Sequence, residues 1–198
     1  MSFGSCRPRT TDRLTSQKTD LGFSLLELML TIGIVGIMSA VAVVQIGVAQ
    51  QAIKGDAGMR VVVAQMNLAR ELAISQRRNM QVQFLGTNAL RIVRNDVPAG
   101  TTQLSLIVLE GNVTYSLVAG VPDTPDAFGR NQAVDFGGAP TLMFTSEGTL
   151  VDGAGNPING TIFLSVLGGL KSVRAITILG ATGRVRGYRW NGLQWTRL

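Results

Sequence analysis

The sequence predicts an α+β chain in which one long N-terminal helix carries a small, mostly antiparallel β head. Three observations lead there. Residues 28–53 contain no charged side chain, and 28–44 are almost wholly apolar. Met59, Val62, Val63, Met66, Ala69, Ala73 and Met80 then recur at spacings of three and four, the apolar stripe of an amphipathic helix. After Met80 the pattern changes to short β-type runs punctuated by turn residues. At 198 residues the chain has room for one domain and an anchor, and no internal repeat is evident.

The N-terminal residues 1–22 carry Arg7, Arg9, Arg13 and Lys18 ahead of the apolar run. About 20 apolar residues in a helix span the hydrocarbon core of a bilayer, so residues 23–50 are a transmembrane candidate. A cleaved secretory signal is the rival reading. It has an apolar core of roughly 7–15 residues and then a small-residue cleavage site, whereas here the run passes unbroken into a second helical stretch. The flanking cations place the N-terminus in the cytoplasm and export the head. Glu27 interrupts the pattern at the edge of the run. A carboxylate there either lies among lipid headgroups or needs a partner inside the membrane.

Residues 51–80 form the amphipathic second half of the helix. Lys54, Arg60, Gln65, Arg70, Arg77 and Arg78 fill the positions between the apolar ones, so this half should lie against a head in water. The head, residues 81–198, is expected to hold strands at 81–85, 90–94, 104–109, 113–118, 141–145, 161–166, 173–179 and 184–190, with Gly86, Thr87 and Asn88 turning the first hairpin. Residues 120–140 and 148–160, rich in proline and glycine, read as loops whose acids are solvated charges.

Charge is segregated along the chain. Residues 95–170 contain seven acids and one base, Arg130, whereas residues 171–198 contain six basic residues and no acid. If residues 184–190 form a regular strand, Arg184, Arg186, Tyr188 and Trp190 share one face, with Gly187 the place where the register could slip. Guanidinium groups beside aromatic rings suit phosphates and stacked bases, which makes Lys171, Arg174, Arg184, Arg186, Tyr188, Arg189 and Trp190 candidate DNA-binding residues. The alternative is that the aromatics are core and the arginines are solvated or pair with the acidic loops.

Catalysis finds little support. There is no histidine, and the lone Cys6 precedes the apolar run and leaves the head without a disulfide. No nucleophile and base stand in a recognisable motif, and neither a metal-ligand cluster nor a phosphate-binding glycine loop is present in the sequence. No enzyme and no cofactor is expected.

Gly22 followed by FSLLELMLTIGIVGI resembles the N-terminal signal of type IV pilins and type II secretion pseudopilins. The matching features are Gly22, the aromatic Phe23, Glu27 four residues on, and an uninterrupted apolar helix with Gly36 and Ile37. The resemblance implies a type IV pilin-like fold held in the bacterial inner membrane by a single pass, with its head outside the cytoplasm. It also implies that a prepilin peptidase cuts between Gly22 and Phe23, that Phe23 becomes N-methylated, and that its amine on one subunit neutralises Glu27 of a neighbour. Three head segments, NLARELAISQ at 67–76, FTSEGTL at 144–150 and RAITILGATGRVRGYRW at 174–190, resemble the GspH/FimT branch of minor pilins and pseudopilins. That likeness implies assembly initiation or contact with secreted protein cargo. Gly183, Arg184, Val185 and Arg186 also look like the GRxR motif of DNA-binding FimT-type pilins, which implies capture of extracellular DNA in natural transformation as the alternative.

Overall fold

The computed structural model describes residues 23–198. The expected leader, residues 1–22, with its four cations, Cys6 and the Gly22 side of the expected cut, lies outside them. The chain divides into two compact units, Met1–Ala42 and Val43–Leu198.

One helix, α1, runs over Leu25–Gln76. Ser24 caps it: the Ser24 hydroxyl accepts the Glu27 backbone N–H at 3.2 Å, and the Ser24 carbonyl accepts Leu28 N–H. Ser24 and Glu27 thus hold the capping-box positions, with the carboxylate in the first turn where the positive end of the helix dipole favours it. The helical segment Leu25–Val43 is long and apolar enough to cross a membrane, and all of it is exposed.

The helix ends at Gln76, earlier than the expected residue 80. Arg77 adopts the left-handed conformation (φ 51°), Arg77 N–H reaches Ile74 O, and Arg78 N–H reaches back to Ala73 O. This is a Schellman ending with arginine where glycine is usual, so no sequence signal marks it. Met80, expected as the last residue of the stripe, instead opens a strand, although it is buried as expected.

The second unit contains eleven strands: β1 (Met80–Leu85), β2 (Ala89–Asn95), β3 (Thr101–Val108), β4 (Val113–Tyr115), β5 (Val134–Asp135), β6 (Leu142–Phe144), β7 (Leu150–Val151), β8 (Gly160–Val166), β9 (Arg174–Leu179), β10 (Arg184–Trp190) and β11 (Trp195–Arg197). They build two antiparallel sheets, ordered β3-β2-β1-β6-β7 and β11-β10-β9-β8-β4, with β5 also on β8. All eight expected strands are present. The three unexpected ones, β5, β7 and β11, are only two or three residues long, too short to show a period.

Met59, Val62, Met66, Ala69 and Ala73 of α1 are buried against both sheets, in one cluster with Val82, Leu90 and Ile92 of the first and Ile162, Leu164, Ile176 and Ile178 of the second. Each Val, Leu, Ile or Met side chain among them, removed from water, stabilises by roughly 1.5–3 kcal/mol. Close approach is obligatory at Gly55, where an added Cβ would stand 2.5 Å from Ser172 O.

The sheets differ in their second face. The β1–β2 face away from the helix is half-exposed, as is usual for an antiparallel sheet. The second sheet is covered on both faces, and all seven residues of β8 are buried. Its outer cover includes Leu117, Val118, Val121 and Trp195, packed on Phe163, Ala175, Tyr188, Trp190 and Val173.

Candidate functional site

At the N-terminus, Phe23 precedes the helix and is 81% exposed, and Glu27 is exposed in the first turn. The backbone cap accounts for the start of the helix. It does not account for the 19-residue exposed apolar surface that follows.

At the other end of the chain, β10 pairs with β9 without a slip, from Arg184↔Leu179 to Arg189↔Arg174. The period-two expectation holds through Gly187, which pairs with Ile176 and where an added Cβ would stand 3.0 Å from Met59 Sδ of the helix. The face shared by Arg186, Tyr188 and Trp190 is nevertheless not free. Tyr188 and Trp190 are buried, and the loop after β4 supplies an acid to the rest. Asp126 accepts hydrogen bonds from Thr177 Oγ1 at 2.6 Å and Tyr188 Oη at 2.9 Å, and pairs with Arg186 Nη1 at 2.6 Å. Burial raises the Asp126 pKa, but Thr177, Tyr188 and Arg186 outweigh it and hold the carboxyl below its ordinary value.

This corrects the expectation that the acids of residues 120–140 are solvated. Asp135 is buried too, its carboxylate accepting the backbone N–H groups of Asn131 at 2.6 Å and Gly137 at 3.1 Å. Asp123 likewise accepts Thr124 N–H and Gly129 N–H.

A second ionic knot joins helix to sheet. Arg174 is 0% exposed, with Nε on Asp56 Oδ1 at 2.5 Å, Nη1 on the carbonyls of Lys171 and Val173, and Nη2 on Ala52 O at 3.0 Å. Arg189 pairs with the other Asp56 oxygen. Burial again raises the Asp56 pKa, and the hydrogen bonds and charges of Arg174 and Arg189 reverse it, leaving it lowered.

The seven candidate DNA-binding residues therefore separate. Arg174 is withdrawn from solvent and holds the helix, and Tyr188 and Trp190 are core, so none of the three can reach a phosphate or a base. Arg186 and Arg189 are half-exposed and paired, while Lys171 and Arg184 are exposed. Lys171 precedes β9 and Arg184 opens β10, so the antiparallel pairing sets them at opposite ends of the sheet. Arg184 and Arg70, a residue absent from the sequence-derived set, instead border one groove of about 470 Å³ with Asn67, Thr182 and Gly183. Arg70 Nε also donates to Gly148 O at 3.1 Å. Gly183 is fixed by the fold: it has φ 61°, and an added Cβ would meet Gly148 O at 2.1 Å.

No protein-family model and no curated protein matches the chain. Among solved structures it is similar to two crystal forms of the Pseudomonas aeruginosa (strain PAO1) type IV minor pilin FimU, in space groups P21 and P65. Both have 21% identity and a TM-score of 0.46; the likeness covers 66% of this chain and 84% of the first, and 67% and 90% for the second.

Proposed function

We propose that the chain is a non-enzymatic, pilin-like minor subunit. It enters the inner membrane as a precursor, is cut by a prepilin peptidase between Gly22 and Phe23, is N-methylated at Phe23, and joins other pilins or pseudopilins in a filament. The observation that carries this reading is the exposed apolar segment Leu25–Val43 with the lone carboxylate Glu27 at its start. About 28 Å of helix, at 1.5 Å per residue, matches a bilayer core and demands an apolar environment. Lipid satisfies that demand in the precursor, and neighbouring helices satisfy it in a filament. In the filament the new Phe23 amine of one subunit meets Glu27 of the next, a pairing far stronger in low dielectric than in water. The head then serves assembly initiation or contact with secreted protein cargo, in a type II secretion pseudopilus or a type IV pilus.

The test is Glu27→Ala in the full-length chain. Its leader should still be removed, seen as the mobility shift of the processed form, while incorporation into sheared filaments falls to background. Normal incorporation would overturn the charge-pair reading, and an unprocessed Gly22→Ala variant in the same assay marks the effect of blocking the cut.

A second reading, DNA capture for uptake, rests on Arg70 and Arg184 at one groove. Phosphate contacts predict affinity that falls steeply with salt and weakens in Arg70→Ala and Arg184→Ala. Binding that is absent or indifferent to salt leaves the assembly role alone.

A further inference from the structure

Sheet edges are where a β protein is open to another chain, and this one blunts most of them. β7 and β5 have two residues, and β4 and β11 have three. Short edge strands are a standard defence against unwanted pairing. β3 is the exception: it has eight residues, it is the terminal strand of its sheet, and Thr101 to Val108 contains neither a charge nor a proline. Its last outward side chains are apolar, with Leu106 51% and Val108 57% exposed, whereas Thr101, Thr102 and Gln103 at its start are exposed and polar.

The register defines the open part. Leu109 N–H donates to Asn88 O at 2.7 Å, so Leu109 faces β2. By alternation Leu106 and Val108 turn their backbone N–H and C=O to the empty edge. On the other face Ser105 Oγ contacts Gln65 Oε1 of α1 at 3.0 Å and Ile107 packs on the core, which holds the strand flat on the helix side. A register shift where Ile92 and Val93 meet Ser105 and Gln103 leaves Leu104 as a bulged residue and re-aims the strand before it. The straight template is therefore residues 105–108.

We propose that this edge pairs with β3 of a second copy of the chain, antiparallel, about a two-fold axis at Ile107. That register places Leu106 opposite Val108 of the other copy twice, joins the open N–H and C=O groups of both, and brings no like charges together. An isologous contact needs a self-complementary patch, and an uncharged strand whose outward residues are Leu and Val is one. A charged partner strand finds no counter-charge along β3. The pairing concerns the head alone and stands or falls independently of Glu27 and of filament incorporation.

Cysteine crosslinking of the full-length chain in membranes tests it, in a Cys6→Ser background with a mild oxidant. Cα atoms of a hydrogen-bonded antiparallel pair lie about 5.5 Å apart, within disulfide reach, so Leu106→Cys and Val108→Cys chains expressed together should give about tenfold more disulfide dimer than either alone. Both residues are exposed, so neither change should disturb folding. A dimer from Leu106→Cys alone would overturn the stated register. Equal crosslinking at an exposed site off the strand, Asn112→Cys, would reduce the result to collision. No dimer, or an adduct only with a different protein, would overturn the second copy as the occupant.

Discussion

Replacing Asp56 by alanine tests how the helix is held to the sheet. Arg174 has no exposed surface, and three of its four hydrogen bonds go to backbone carbonyls, which accept protons but carry no charge. Asp56 is its one carboxylate partner among the described residues. Removing one member of a buried pair costs about 3–5 kcal/mol, because the other charge stays in low dielectric. Asp56 itself is 21% exposed and the carbonyls remain, which sets the expectation at the lower end, about 3 kcal/mol. For a chain of this size that lowers Tm by about 6–12 °C. Arg189→Ala, which removes a half-exposed partner, should cost under about 1 kcal/mol. Asp56→Ala combined with Arg174→Met should recover most of the loss, since an apolar side chain of similar volume no longer strands a charge. Unfolding of the full chain in detergent can be followed through its two tryptophans, Trp190 and Trp195, whose rings lie 5.3 Å apart at the end of the same sheet. If Asp56→Ala costs no more than Arg189→Ala, or if the double variant is less stable than Asp56→Ala, the buried-charge reasoning fails.

Gly183→Ala should cost about 2 kcal/mol, from its positive φ and the Gly148 carbonyl in its way, while Arg184→Ala next to it should stay within about 0.5 kcal/mol in the same unfolding assay. Asp126→Asn leaves Thr177 and Tyr188 a partner but removes the charge facing Arg186, and should cost about 1–2 kcal/mol by the same measure. Asp56 and Asp126 both have lowered folded-state pKa values, so the stability they contribute is complete above the unfolded carboxyl value of about 3.9 and is lost as pH falls through the folded values. Unfolding midpoints should therefore be steady for these two groups from pH 7 to about pH 5 and fall below about pH 4, with a smaller fall in Asp56→Asn.

Patterns that depend only on neighbours in sequence were legible. The uncharged run, the three-and-four stripe, the short β-type runs between turn residues and the period-two face of β10 each report a geometry that one segment expresses by itself. The Ser24 cap is equally local, a serine three residues before Glu27 in capping-box spacing. The asparagine-glycine pair at Asn191 and Gly192, whose side chain accepts Leu193 N–H and Gln194 N–H, was a similar turn signal for β11. The helix end at Arg77 was not legible, because a left-handed arginine is chosen by its surroundings and not by its own preference.

The sequence by itself determined a long apolar helix with one carboxylate at its start, a stripe that had to be covered, and a strand-built head to cover it. These follow from burial of apolar surface at fixed helical and strand periods. Only the tertiary structure decided what the C-terminal cations do. Asp56 lies 118 residues before Arg174, and Asp126 lies 60 before Arg186, and a charge count cannot see pairings across such separations. Folding converts a basic tail into a scaffold held by two buried-edge carboxylates, leaving Arg184 and Lys171 outside, because a guanidinium under a sheet is tolerable only beside an opposite charge.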